Sequence, residues 1–228
     1  MSPRGMSPLL IVVAIVLVDL LGFAIVMPLL PRFAREYDFD ATQIGLLLAA
    51  YPMLQLAAGP VLGKLSDRFG RRPVLAISQV GTALSFVILG LSTNFWVMLA
   101  ARMLDGASGG NIIVAQAYIA DITKPEHRAR SLGLIGAAFG VGFVLGPLMG
   151  GLLAGAPVPH AWQLRLPFLV AAGFSALAAA LVITSLPESL PADGQARQEA
   201  RVLSWRGLVD LISLPNVGVL VGVAAVVT

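Results

Sequence analysis

The sequence has no cysteine and few charged residues, and both shortages limit what the chain can do. Without cysteine there are no disulfides, no thiolate metal sites and no cysteine nucleophile. Charged residues make up 12% of the 228 residues and hydrophobic residues 57%. This charged share is about half that of a soluble domain. A soluble fold of this size needs a polar surface that the composition does not supply, so we expect a lipid bilayer to be its solvent.

Motifs of several enzyme and binding classes are also missing. The sequence has no Walker loop, no Ser/His/Asp set inside an apolar run and no metal-ligand spacing. We therefore expect no ATP drive, no enzyme activity, no metal and no cofactor, and we assign no ligand role to His127 or His160. The net charge is only +3, and the basic residues lie in loops between apolar runs, so the basic pI does not indicate nucleic-acid binding.

Six apolar runs, named spans 1 to 6, are each long enough for a transmembrane helix, which needs about 20 residues. They lie near 9–30, 43–62, 74–93, 95–119, 131–154 and 164–186. Span 1 is too long for the apolar region of a signal peptide, so we expect it to be retained. A seventh run begins near 216 and reaches the last residue, Thr228, while still too short to cross a bilayer. The sequence therefore predicts a chain that ends inside a helix.

Loop charges predict the orientation. With the N-terminus inside, the cytoplasmic segments hold eleven Lys and Arg residues and the outer loops hold three. Because positively charged loops stay on the cytoplasmic side, we expect a multi-pass protein of the cell inner (plasma) membrane with a cytoplasmic N-terminus. The predicted domains are 1–186, a six-helix unit; 187–215, a polar cytoplasmic connector; and 216–228, the start of helix 7.

Spans 1 to 3 resemble spans 4 to 6. The heptapeptide at 59–65, Gly-Pro-Val-Leu-Gly-Lys-Leu in span 2, recurs at 146–152 in span 5 as Gly-Pro-Leu-Met-Gly-Gly-Leu. On the same offset Asp19 of span 1 falls beside Asp105 of span 4. Because each triplet has an odd number of spans, the second triplet starts on the opposite side of the membrane from the first, so the two have opposite orientations. The echo therefore indicates a 3+3 inverted repeat, which is the plan of secondary transporters.

Four motifs, in order along residues 19–151, resemble those of one family. The segment 63–73, Gly-Lys-Leu-Ser-Asp-Arg-Phe-Gly-Arg-Arg-Pro, resembles the signature between helices 2 and 3 of the major facilitator superfamily. Span 1 resembles helix 1 of the twelve-helix drug:proton antiporters, and Arg102 and Gly106 resemble the buried-arginine motif of that branch. Span 5 resembles the antiporter glycine motif. The amino-acid sequences of spans 2 and 4 most resemble those of bacterial tetracycline-type efflux pumps. The antiporter motif residues are Gly133, Gly142, Gly146, Pro147, Gly150 and Gly151.

The resemblance implies a conformational latch in the segment 63–73. Asp67 would face a helix N-terminus of a second, C-terminal six-helix half that this chain lacks, where the helix dipole favours a carboxylate. Arg71 would bridge Asp67 to Asp121 at the cytoplasmic end of span 4. The alternative is a solvated, positively charged loop. The implied latch residues are Gly63, Asp67, Arg68, Gly70, Arg71 and Asp121.

Three charged residues inside the spans are candidates for proton coupling. Arg102 and Asp105 lie three residues apart on one helix face, and charges there should face a cavity or each other because they are unfavourable in lipid. Asp19 lies in the middle of span 1, and a carboxylate there suits a group that exchanges a proton during a cycle. The alternatives are a structural ion pair for Arg102 and Asp105, and a helix-packing hydrogen bond for Asp19.

Other residues have less distinct expectations. The glycines of span 5 allow close helix packing, which coincides with a dry seam that limits proton leakage, and Pro147 predicts a kink. The candidate cavity-lining residues are Gln55, Asn111, Gln116 and Tyr118, with helix–helix hydrogen bonding as the alternative for each.

The sequence thus predicts an all-α polytopic bundle, the N-terminal half of a major facilitator transporter with the start of a seventh helix. The implied activity is proton-coupled export of a small lipophilic or amphipathic drug or metabolite by alternating access. One difference leaves the substrate open: Ser85 stands where tetracycline pumps carry a membrane-buried acid. The alternatives are a sugar or other metabolite transporter, and a non-transporting remnant or membrane interaction module.

Overall fold

The computed structural model of the chain describes residues 7–190, which form helices and no strand and belong to one compact unit. The α-helices are α1 (Pro8–Glu36), α2 (Ala41–Phe69), α3 (Arg71–Leu91), α4 (Phe95–Ser108), α5 (Asn111–Ile122), α6 (Arg128–Ala154), α7 (His160–Gln163) and α8 (Leu166–Ser185). A short 3₁₀ helix, Pro125–His127, precedes α6. Most of the predicted connector 187–215 and all of 216–228 lie outside the described residues.

Five of the described helices, α1, α2, α3, α6 and α8, are long and apolar enough to cross a membrane. They correspond to spans 1, 2, 3, 5 and 6. Together with α4 and α5, which share span 4, they confirm the predicted all-α polytopic bundle.

Short polar side chains fix where several helices begin. Asp40 and Gln43 form a reciprocal capping box at the start of α2, in which Gln43 N donates to Asp40 Oδ1 at 2.7 Å and Asp40 N donates to Gln43 Oε1 at 3.0 Å. Asn94 accepts backbone hydrogen bonds from Trp96 and Val97 at the start of α4. These caps supply acceptors for N–H groups that have no partner within the helix.

Span 4 is not the continuous helix that the apolar run 95–119 predicted. It is interrupted at Gly109 and Gly110, which separate the 14 residues of α4 from the 12 residues of α5. Both glycines lie where another helix approaches closely: an added Cβ would come within 3.0 Å of Tyr51 Oη at Gly109 and within 3.1 Å of Gly59 Cα at Gly110. The break therefore lies against α2, in the interior of the bundle.

The polar segment 63–73 is also not a loop. Helix α2 continues to Phe69 and α3 starts at Arg71, so Gly70 alone joins them. Gly70 has φ 103° and ψ 150°, a conformation that only glycine adopts readily. The charged residues of this segment extend the helices instead of interrupting them, in agreement with the good helix propensity of Lys and Arg.

The helices pack in pairs that fit the repeat. Helix α1 packs extensively on α6, and α2 packs on α4. In the repeat, span 1 is equivalent to span 4 and span 5 is equivalent to span 2. The pair of spans 1 and 5 is therefore equivalent to the pair of spans 4 and 2. The equivalent glycines follow this relation, because Gly146 packs against Ala24 of α1 and Gly59 packs against Gly110. This is the packing that an inverted repeat requires.

Helices α2 and α6 are the least buried of the five membrane-length helices. Large apolar side chains along both are exposed, among them Leu56 at 81% and Val144 at 70%. The helices that carry the repeated heptapeptide therefore present the most open apolar faces of the described bundle.

Candidate functional site

A cavity of about 120 Å³ lies between the two triplets of helices. Two carboxylates, Asp19 of α1 and Asp105 of α4, line it together with the polar side chains of Gln55 and Asn111. The rest of its wall is largely aromatic, with Phe23, Tyr51, Phe86, Phe139 and Phe143. The cavity thus combines acidic groups with apolar rings, which is the general make-up of sites for small molecules.

Asp19 is held by amide groups from two other helices. Its Oδ1 accepts a hydrogen bond from Gln79 Nε2 at 2.7 Å, and its Oδ2 accepts one from the side-chain amide of Asn111. Both amide side chains are buried, at 0% and 3% exposure. No described Lys or Arg forms an ion pair with Asp19. Its charge is therefore satisfied by neutral donors alone.

Arg102 and Asp105 form a buried ion pair, with Arg102 Nη1 at 2.9 Å from Asp105 Oδ2. Arg102 Nε also donates to the carbonyl oxygen of Leu47 at 3.2 Å, and the guanidinium lies 4.9 Å from the ring centroid of Tyr51. Arg102 thereby binds α4 to α2. Asp105 lines the cavity, with Ser85 beside it, whereas Arg102 points toward α2.

Gln55 of α2 forms a hydrogen bond with the backbone at the break in span 4. Its Nε2 donates to the carbonyl oxygen of Gly109 at 2.8 Å and lies 2.9 Å from Tyr51 Oη. The carbonyl at a helix end lacks an intrahelical donor, and Gln55 supplies one from α2. The break thus lies between the Arg102–Asp105 pair and Asn111, the first residue of α5, which binds Asp19.

Two of the other proposed lining residues lie elsewhere. Tyr118 is buried two turns along α5 from Asn111, and its hydroxyl donates to the carbonyl oxygen of Pro187 at 2.8 Å, so it does not line the cavity. Gln116 is exposed on α5. Their positions follow from helix geometry, since only part of α5 faces the cavity.

A second polar group, the Arg71 cluster, consists of Ser66, Asp67, Arg71 and Asp121. Arg71 is buried and contacts all three others: Nη2 lies 2.5 Å from Asp67 Oδ1, Nε 3.1 Å from Asp121 Oδ2 and Nη1 2.6 Å from Ser66 Oγ. The cluster joins the ends of α2 and α5 to the start of α3.

The remaining latch candidates lie beside the Arg71 cluster. Arg68 is exposed, its guanidinium lies 5.3 Å from the ring centroid of Phe69, and it makes no ion pair among the described residues. Gly63 packs near Ile113 of α5 at ordinary contact distance. Gly70 forms the link between α2 and α3.

The span 5 glycines divide into two groups. Gly142, Gly146 and Gly150 are buried against α1, where an added Cβ would press on Leu20, Ala24 and Ile25 respectively. Gly133 and Gly151 have no described atom within 4 Å of an added Cβ. Pro147 lies inside α6 on its exposed side. The close seam is thus formed by one face of α6, with a period of four residues.

Sequence reasoning overlooked three residues that hold these groups in place. Gln79 was not recognised, although a polar side chain inside an apolar span is a usable signal. Ser66 resembles any other hydroxyl at a helix end. Glu188, which follows span 6 in Leu-Pro-Glu, accepts hydrogen bonds from the backbone N–H groups of Arg71 at 2.9 Å and Arg72 at 3.1 Å.

Comparison with known proteins agrees with this architecture. The family profile of the Major Facilitator Superfamily matches residues 12–228. The class C tetracycline resistance protein of Escherichia coli is 43% identical over 177 residues, 76% of this chain and 43% of that protein. Multidrug resistance protein 2 of Bacillus subtilis (strain 168) is 33% identical over 182 residues, 79% of this chain and 44% of that protein.

A solved structure extends the likeness to the fold. The crystal structure of the human organic anion transporter MFSD10 (TETRAN) matches with a TM-score of 0.70 and 28% identity, over 82% of this chain and 48% of that one. The chain thus spans less than half the length of each of these three proteins. With the profile matched over most of its length, the chain belongs to the Major Facilitator Superfamily, a family of membrane transporters.

Proposed function

We propose that residues 1–186 act as the N-terminal six-helix half of a proton-coupled antiporter, which exports a small amphipathic drug or metabolite by alternating access. The observation that carries this proposal is the cavity into which both Asp19 and Asp105 project. Carboxylates inside membrane-spanning segments are energetically costly, and those that face a cavity mark pathways for ions or substrate. The similarity to tetracycline and multidrug resistance proteins supports export as the direction of transport.

Asp19 is the principal proton-coupling residue in this proposal. It has only amide donors as described partners, so taking up a proton breaks no ion pair. Protonation instead weakens the bonds to Gln79 on α3 and Asn111 on α5, because an ionised carboxylate is the stronger acceptor. A proton on Asp19 therefore loosens contacts between three helices.

Arg102 and Asp105 form the second part of the coupling site. Arg102 has three partners in the protein, whereas its partner Asp105 also faces the cavity. Asp105 can therefore exchange the guanidinium for a proton or for a substrate group. The carboxylate of Asp105 lies beside Ser85, the position at which tetracycline pumps carry a buried acid. This side of the cavity therefore still holds an acidic group, supplied by Asp105.

The residues that line the cavity support the proposed substrate class. Five aromatic rings offer apolar surface and the two acids offer polar contacts, which suits an amphipathic molecule with a ring system. Tetracycline is a suitable first probe, since several relatives are named for resistance to it.

The Arg71 cluster is the conformational latch of this transporter, called the clasp from here on. It lies on the cytoplasmic side of an inner membrane, with the N-terminus inside. Asp67 remains 37% exposed at its side chain, so it is accessible to a further partner while it binds Arg71. The open apolar faces of α2 and α6 are the surface for a second six-helix half. Rocking of the two halves about this surface would open the cavity to each side in turn.

The test is export under an imposed pH gradient. Everted membrane vesicles from cells that express the full-length gene product are acidified inside, and the accumulation of tetracycline and of ethidium is followed. We expect at least one of these to accumulate and to leak out when the gradient is collapsed. Failure to accumulate these or any other amphipathic drug or dye under a gradient would overturn the antiporter proposal.

A further inference from the structure

Helix α3 begins without a cap of its own. The residue before it, Gly70, has no side chain, and Asp67 is occupied with the guanidinium of Arg71. The first backbone N–H groups of a helix need acceptors, and the helix dipole favours a negative charge there. At α3 both needs are met by a residue 117 positions after Arg71 in the sequence.

Glu188, three residues after the end of α8, provides this cap. Its Oε1 accepts from Arg71 N at 2.9 Å and its Oε2 accepts from Arg72 N at 3.1 Å. Its Oε1 also accepts from the following backbone N–H groups of Ser189 at 3.0 Å and Leu190 at 3.3 Å. The side chain is therefore held by the backbone at the start of α3 and by the backbone of the two residues that follow Glu188.

The neighbours of Glu188 make parallel contacts. Pro187 accepts a hydrogen bond from Tyr118, and Ser189 Oγ donates to Asp121 Oδ2 at 3.1 Å. Arg72 donates from its side chain to the carbonyl oxygen of Ile183 near the end of α8. Three consecutive residues at the start of the predicted connector are thus bonded to α3 or α5, beside the Arg71 cluster.

We propose that Glu188 is a positioning residue of the clasp. It fixes the backbone from which Arg71 reaches Asp67 and Asp121, and it ties the start of the connector to the same cluster. Opening of the clasp then moves residues 187–189, and a displacement of these residues opens the clasp. This inference rests on the clasp function proposed for Asp67, Arg71 and Asp121.

The glycine at position 70 supports the same arrangement. An added Cβ there would come within 2.5 Å of Glu188 Oε2. The carboxylate of Glu188 thus occupies the space that a Cβ at position 70 would take, and the positive φ of Gly70 itself favours glycine.

The test uses a thiol that reports opening of the clasp. Ser78 of α3 is 3% exposed, and its Oγ has no hydrogen-bond partner among the described residues, so Ser78→Cys is a mild change. It lies two turns from Arg71. The reporter is placed in a full-length gene product without other cysteines. Its reaction with a membrane-impermeant methanethiosulfonate is timed from the cytoplasmic face of everted vesicles.

We expect Glu188→Gln to raise the labelling rate about fivefold, since one neutral oxygen replaces a charged two-oxygen cap. Glu188→Asp keeps the charge and should fall between the two rates. Glu126→Gln is the matched control, because Glu126 is an exposed glutamate of the 3₁₀ helix, and it should label as the parent does. Thermal unfolding should shift by no more than about 2 °C in each variant.

Asp67→Asn separates this inference from the clasp itself. If Asp67→Asn speeds labelling and Glu188→Gln does not, the clasp stands and the role of Glu188 is wrong. If neither does, the clasp is wrong as well. If Glu188→Gln fails to accumulate in the membrane, labelling of Glu188→Asp at the parent rate overturns the inference, and faster labelling supports it.

Discussion

Asp19 on α1 accepts a hydrogen bond from the side chain of Asn111, the first residue of α5 after the break in span 4. A carboxylate from the first triplet of helices is thereby joined to the discontinuous helix of the second. On the other side of the same break, α4 ends at Ser108, three residues after Asp105. A change at Asp19 therefore acts on α5, which the two-glycine break separates from the ion pair on α4.

The Arg102–Asp105 pair gives the first prediction. Arg102→Ala should destabilise the protein by about 3–5 kcal/mol, because Asp105 is left buried without its partner. The Arg102→Ala/Asp105→Ala double variant should lose less than the sum of the two single variants. Thermal unfolding in detergent measures this double-mutant cycle, and additivity within about 0.5 kcal/mol would contradict the pairing.

The two groups of span 5 glycines give a matched comparison. Gly146→Ala should cost about 1–3 kcal/mol, since its Cβ would meet the side chain and backbone of Ala24. Gly151→Ala has open space and should be neutral, or stabilising by about 0.5–1 kcal/mol through helix propensity. Equal unfolding temperatures for the two variants would show that α6 does not pack on α1 along this face.

Gln55→Leu tests the support of the break in span 4. The Gly109 carbonyl would lose its donor from α2, which should cost about 1–3 kcal/mol in unfolding free energy. Gln116→Leu makes the same change at an exposed position of α5 and should stay within about 0.5 kcal/mol of the parent. The interpretation of Gln55 fails if both substitutions have the same effect.

Gly70→Ala tests the joint between α2 and α3. With φ at 103° and Glu188 Oε2 close by, alanine should cost roughly 1–3 kcal/mol from backbone strain alone. Gly63→Ala, which meets only Ile113 at 3.6 Å, should be tolerated. Hydrogen exchange at the start of α3 would locate the loss, and unchanged protection there in Gly70→Ala would contradict it.

Composition and apolar run length predicted the bundle because crossing a bilayer requires a minimum apolar length and internally satisfied backbone hydrogen bonds. The bounds were less accurate at 63–73, where charged residues continue a helix beyond the apolar run. The break at Gly109 and Gly110 was not predicted, since two glycines in an apolar run look the same whether a helix packs closely or stops there. Only the approach of Tyr51 and Gly59 distinguishes the two.

The candidate site was also predicted only in part from the sequence. Charges inside apolar runs are few enough that Asp19, Arg102 and Asp105 could be selected from the sequence, and their spacing predicted the Arg102–Asp105 contact. The neutral partners of Asp19 were not predicted as such: Asn111 was named only as a cavity-lining candidate, and Gln79 was not named. Gln79 and Asn111 come from α3 and α5, and which polar side chain meets Asp19 depends on how three helices pack.

The most direct test of the account is transport by Asp19→Asn with and without a pH gradient. In everted vesicles that contain the full-length gene product and the probe that it exports, this variant should fail to accumulate the probe against its gradient, yet still equilibrate it. Asp38→Asn, the same change at an exposed residue outside the helices, should accumulate it as the parent does. Parent-level accumulation by Asp19→Asn would contradict the central claim that this carboxylate couples the proton to transport.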